Sequence, residues 1–212
     1  MCKYFTNPDT WISIIAVCLS IIALFQTHKQ IKLSNKQQLF DRRLDKYLLF
    51  KDLFVLYKGS RQLFVEKNSI CEMVDFPFSM LTNCSALEQM CSAFDKPLHD
   101  EDHKILLTKL EMLEKNAVEL ELLWNSEAGR KVSCFVKQYK ELLMSIYKQQ
   151  ILLKYLHKQN EEHPISLEEF QQQAKENAIK IGLYDDIKKL DSIYHSIIEE
   201  KVEEELTDGI KL

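Results

Sequence analysis

"WISIIAVCLSIIALF", Trp11–Phe25, and the "KQQLFDRRLDKY" that follows it at Lys36–Tyr47 are the stretches on which the fold turns. The first has no charged residue and no Gly or Pro. As a helix its fifteen residues would reach only ~22 Å. Thr10, Gln26 and Thr27 are uncharged and extend it, and Pro8 suits a first helical position. From Pro8 to Thr27 the helix would then measure ~30 Å, one hydrocarbon core. Its Leu, Ile, Val and Phe side chains favour insertion by roughly 3–5 kcal/mol before Ser13 and Ser20 reduce that. Trp11 stands where an interfacial aromatic belongs. A single membrane span is therefore expected over residues 1–27. A core helix of a soluble protein is the competing reading, because the strictly apolar run is short.

The flanks argue against a cleaved signal. Only Lys3 precedes the run as a cation, and no small-x-small site follows it. Orientation is expected from the basic side. Lys29, Lys32, Lys36, Arg42, Arg43 and Lys46 follow the span, so the N-terminus belongs outside and the rest in the cytoplasm. Of these, Lys29, Lys32, Lys36, Arg42 and Lys46 are expected to face water or lipid headgroups. The six cysteines include no C-x-x-C pair, which removes zinc-ribbon spacing and suits a reducing compartment. A Cys84–Cys91 disulfide would fit only the reversed topology.

The chain has 212 residues, a net charge of −4, and only four Gly and four Pro. So few turn formers favour long helices. An all-α fold is expected: an N-terminal transmembrane helix leading into a cytoplasmic antiparallel bundle. A basic amphipathic helix should cover 28–58, with a soft break near Ser34–Asn35 and an apolar face of Leu33, Phe40, Leu44, Tyr47, Leu48 and Phe54. The bundle proper should occupy 59–212. Within it, 59–77 reads as irregular or weakly helical and 78–94 as one helix. Asp100, Glu101 and Asp102 open the next helix, which carries a heptad of Leu106, Leu110, Leu113, Ala117, Leu120 and Trp124. Ser126 caps a helix running to about His157, with Val132, Val136, Tyr139, Leu143, Ile146 and Leu153 inside. Ser166 and Glu169 form a capping box, and Gly182 ends that helix. A last helix starts near Asp185, buries Ile187, Leu190, Tyr194 and Ile197, and fades into "EEKVEEELTDG".

No nucleotide-binding loop or nucleophile elbow is present, since the four glycines are isolated. The weak metal candidates are His99 and His103 in "HDEDH", at i and i+4; Asp100 stands where a zincin needs Glu. An acidic helix start explains the same residues. Nucleic acid is not an expected partner, because Phe40 and Tyr47 lie on the apolar face. No cofactor is expected. Acidic residues 199–205 read as a solvated face, with a sharper alternative in which they dock on the basic segment.

Inside the span, Ser13, Ala16, Ser20, Ala23 and Thr27 are spaced three, four, three and four. Such a stripe lets helices approach closely in lipid, so a homo-oligomer is expected. Phe40, Arg43, Leu44 and Tyr47 should pack the exit helix onto the bundle, with Arg43 stacked over Tyr47.

Gln37, Leu39, Phe40, Asp41, Arg43, Leu44 and Tyr47 form a Q-x-L-F-D-x-R-L-x-x-Y pattern. Together with the preceding span, it resembles a loose family of small bacterial membrane proteins over the first sixty or so residues. Some proteins of that layout sit among phage-defence genes. The resemblance implies a membrane-anchored effector or sensor; the residues themselves lead to the expectation of a non-enzymatic protein whose partners are membrane lipids, its own copies and a protein bound through the bundle. A membrane-tethered metal enzyme using His99 and His103, or a soluble helical adaptor, are the alternatives.

Overall fold

The computed structural model describes residues 8–65 and 76–210. It is all-α, with no strand among the described residues. In order, the helices are α1 (Pro8–Val65), α2 (Phe76–Thr82), a 3-10 turn (Ser85–Leu87), α3 (Met90–Asp95), α4 (Asp100–Trp124), α5 (Glu127–Glu162), α6 (Leu167–Lys180), α7 (Leu183–Glu199) and α8 (Val202–Ile210). The described residues form two compact units, one of residues 8–42 and the other of residues 43–65 and 76–210.

Three expectations about the helices are corrected. The break near Ser34–Asn35 is absent, and α1 passes through it. Without Gly or Pro, every backbone donor there keeps its i−4 partner. The single helix expected over 78–94 is instead three short pieces. Thr82 turns its hydroxyl back to the Phe78 carbonyl at 2.8 Å, and the Cys84 amide reaches the Thr82 carbonyl at 2.8 Å. Gln89 then enters the left-handed region at φ 71. Short polar side chains compete for backbone groups in this way and end helices early. At the other end the acidic tail does not fade: it becomes α8, which buries Val202, Leu206 and Ile210. Of the stretch at 59–77, expected as irregular or weakly helical, the described ends are helical, as the end of α1 and the start of α2, and residues 66–75 lie outside the described residues.

The second unit is built around α5, 36 residues long. Only Asn125 and Ser126 separate it from α4, so the two form an antiparallel hairpin. Ser126 accepts from the Gly129 amide at 3.2 Å, the expected cap. The heptad of α4 is buried from Leu106 to Leu120, and all six residues expected inside α5 are buried. Ser166 and Glu169 exchange both bonds of the capping box, at 3.2 and 3.1 Å. Gly182, at φ 76, ends α6 in the left-handed conformation that an L side chain resists. The four residues expected inside α7 are buried as well.

An aromatic core joins α1 to α5 and α7. Phe50, Phe54 and Tyr57 of α1 surround Phe135 of α5, with centroids at 5.8, 5.6 and 6.2 Å. Tyr194 of α7 closes the group, 4.8 Å from Phe54 and 5.3 Å from Tyr57. The fully buried Tyr139 donates its hydroxyl to the Leu81 carbonyl at 2.6 Å, which ties α2 to α5. A smaller cluster of Leu153, Leu156, Phe170 and Ala174 holds α6 to the far end of α5.

This core uses the expected face of α1 in part: Phe54 is buried and Tyr47 packs against the core, joined by Phe50 and Tyr57. The inward line is Arg43, Tyr47, Phe50, Phe54, Tyr57 and Arg61, while Leu33 and Leu48 remain 64% and 50% exposed. The expected face is buried where Phe135 and Tyr194 lie against it, and rings at 5–6 Å fill more volume there than a lone leucine would.

Candidate functional site

In the first unit, Trp11 to Thr27 are all exposed, including Ser13, Ala16, Ser20, Ala23 and Thr27. The Ser20 hydroxyl donates to the Ala16 carbonyl at 2.8 Å and the Thr27 hydroxyl to Ala23, also at 2.8 Å. Their polarity is met within the helix, which lowers the cost of an apolar surrounding. Among the described residues α1 is the one helix long and apolar enough to cross a membrane. Lys29, Lys32, Lys36 and Arg42 follow, all exposed.

Lys46 does not belong to that exposed set. Its ammonium pairs with Glu119 of α4 at 2.7 Å and donates to the Asn116 side chain at 2.5 Å, with 21% of the side chain exposed. The stem runs toward α4 because its position lies beside the inward line of α1, so it is a packing residue of the bundle.

Arg43 is corrected too. Its guanidinium donates to the Leu123 carbonyl through Nε at 3.2 Å and Nη2 at 2.9 Å, and to the Gly209 carbonyl through Nη1 at 2.5 Å. It lies over the Trp124 ring at 5.9 Å rather than over Tyr47. Leu123 and Gly209 stand in the last turns of α4 and α8, where carbonyls lack intrahelical partners and the helix dipole is negative. One cation therefore closes two helix ends. Trp124 completes the junction by donating Nε1–H to the Leu206 carbonyl at 3.2 Å. A Cβ on Gly209 would lie 3.0 Å from the indole nitrogen, so a side chain there would press Trp124 out of place. Phe40, Leu44 and Tyr47 are half-buried.

The acidic tail carries part of the docking that its charge suggested. Glu203 pairs with Lys51 at 2.5 Å, and Glu200 pairs with Lys131 of α5. The contact on α1 falls at Arg43 and Lys51, beyond most of the basic segment.

A second polar group, near the end of α1, escaped the sequence reading. Arg61 pairs through Nε with Asp191 Oδ1 and through Nη2 with Oδ2 at 3.2 Å. Tyr57 donates to the same Asp191 at 3.3 Å, and Arg61 Nη2 donates to His195 Nε2 at 2.7 Å. The hydrogen bond from Arg61 holds the Asp191 carboxyl below its ordinary range. Burial, with Asp191 beside it, pushes the Tyr57 hydroxyl far up, so it stays protonated and donates. Asp191 and His195 are i and i+4 on α7, and Tyr57 and Arg61 are i and i+4 on α1. That double spacing was the available signal, but nothing local pairs one helix with the other.

This group sets a pH dependence. A carboxyl held low in the folded state adds stability that is present above its unfolded value, near 3.9, and is lost as pH falls through the folded value. Asp191→Asn should lower stability at neutral pH by about 1–2 kcal/mol. It should also flatten the acid limb of a plot of Tm against pH. An unchanged acid limb in that variant would assign it to other carboxylates.

His99 and His103 do not converge. His99 is the N-cap of α4 and its Nδ1 meets Asp102 at 3.0 Å. His103 Nδ1 lies 2.9 Å from the Tyr147 hydroxyl. No group of three or more metal-ligating side chains occurs among the described residues. Cys84 and Cys91 are free thiols lining an open hollow of about 710 Å3 beside α2 and α3. Burial raises the Cys84 thiol, which opposes the reactive thiolate form.

What these residues define is an all-α chain with an exposed apolar N-terminal helix and a helical bundle, whose densest polar contacts join helices. Comparison with protein-family models, curated proteins and solved structures finds no match to it.

Proposed function

We propose that the chain is a non-enzymatic, single-pass protein of the bacterial inner membrane, N-terminus outside and bundle in the cytoplasm. It self-associates through α1 and offers its bundle to a protein partner. The resemblance of its first sixty or so residues suggests an effector or sensor in antiphage defence. One uncharged span cannot line a pore, so an effector that perturbs the membrane requires oligomers.

The observation that carries this reading is the exposed apolar surface of Trp11–Thr27, with Ser20 and Thr27 satisfied by their own helix. A run of this size has no reason to face water. The basic residues after it give anionic headgroups a partner and set the orientation.

Alkaline carbonate extraction tests the anchor, and release of the full chain into the supernatant would defeat it. Ala16→Leu combined with Ser20→Leu tests the stripe. Crosslinked oligomers should fall by about 10-fold while membrane retention is unchanged, because bulk at these positions separates the backbones. Unaltered crosslinking would remove the stripe as the contact.

A further inference from the structure

We propose that α8 is exchanged between two copies of the chain, each copy's α8 docking on the other's α1, α4 and α5, with α7 and α8 running as one helix. This gives the proposed self-association a second contact, outside the apolar segment.

The corner between α7 and α8 consists of Glu200 and Lys201, and Lys201 sits in the left-handed region at φ 52. Its side chain is 72% exposed and holds no buried contact that would justify the strain. Residues with a Cβ enter that region at a roughly 5- to 30-fold penalty. The local sequence does not ask for a turn, since "EEKVEEE", Glu199–Glu205, has no Gly, Pro or Asn. All its residues but Val202 are good helix formers. The corner is imposed from outside, by where α8 docks.

That docking is specific. Val202, Leu206 and Ile210 are buried, Trp124 donates to Leu206, Arg43 donates to Gly209, and Lys51 pairs with Glu203. Every one of these contacts is the same whether α8 comes from its own chain or from a second copy. Exchange keeps them and lets residues 183–210 form a continuous helix, so Lys201 returns to the right-handed region. A strained hinge between two otherwise intact elements is the usual setting for such exchange. Straightening has a cost. Glu199 meets Glu203 at i+4 and Glu200 meets Glu203 and Glu204 at i+3 and i+4, while Lys201 keeps Glu204 and gains Glu205. The net is two like-charge pairs, roughly two- to fivefold, at or below the low end of the penalty relieved at Lys201.

The test uses two differently tagged full-length chains, co-expressed and purified in detergent through both tags in turn. All carry Ala16→Leu and Ser20→Leu, so that the bundle contact is read alone. Lys51→Glu in one chain and Glu203→Lys in the other restore opposite charge at both junctions of an exchanged dimer. Each variant folded on itself keeps like charges. The mixed pair should be recovered at least about threefold above Lys51→Glu with itself or Glu203→Lys with itself. Lys201→Gly on otherwise unaltered bundles should lower recovery by a similar factor, because glycine accepts the corner. Equal recovery of all pairs overturns the exchange. So does no recovery of any pair; if chains with the natural stripe still co-purify, the membrane contact survives, and if they do not, both contacts fall.

Discussion

Phe135→Ala is expected to lower the unfolding free energy of the bundle by about 3–5 kcal/mol, the largest loss from any single side chain considered. Phe135 is fully buried and meets Phe50, Phe54, Tyr57 and Tyr139, so its removal opens a cavity walled by aromatic rings. Rigid rings collapse poorly into such a space, which places the cost at the upper part of the range for core truncations. Three of those rings belong to α1. The variant should therefore loosen α1 from the bundle first, and amides between Phe50 and Arg61 should lose hydrogen-exchange protection before those of α4. Chemical denaturation followed by circular dichroism measures the total. A loss below about 1 kcal/mol would show that α1 is not held by this cluster.

Arg43→Ala should destabilise by about 2–4 kcal/mol, through lost charge-assisted hydrogen bonds and the carbonyls of Leu123 and Gly209 left without a donor. The cation over Trp124 is lost with them. Arg43→Lys should recover little. A single ammonium cannot reproduce a planar fork that spans two helix ends. Trp11 and Trp124 are the chain's two tryptophans. In a Trp11→Phe background, the emission of Trp124 should shift to the red as α8 loses its anchor at Gly209. Full stability in Arg43→Lys would mean that charge alone, through the helix dipoles, does the work.

Much of the helical plan was legible because its causes are local. The Ser126 cap, the Ser166–Glu169 box and the Gly182 stop all act within a turn of their own residues. The α4 heptad needs only a partner of some kind, and α5 supplies it. The 78–94 segment was misread because its turn residues are Thr82 and Cys84 rather than Gly or Pro. Break signals near Ser34–Asn35 were misread in the other direction, since polar residues on an exposed helix interrupt nothing. The pairing of Tyr57 and Arg61 with Asp191 was not legible in the sequence, because Asp191 lies 134 and 130 positions from them.

By itself, the sequence determined that this chain is all-α, that its N-terminal helix carries one long apolar run, and where most bundle helices cap and stop. Backbone hydrogen bonds and capping groups reach three or four residues, so a linear reading contains them. Tertiary structure alone decided which residues of α1 turn inward, that Lys46 serves the bundle rather than the exposed basic segment, and that the acidic tail ends as a helix with one buried face. It also decided the partners of Arg43, 80 and 166 residues away. A guanidinium on a helix has several carbonyls and carboxylates it could satisfy, and packing of the whole core chooses among them.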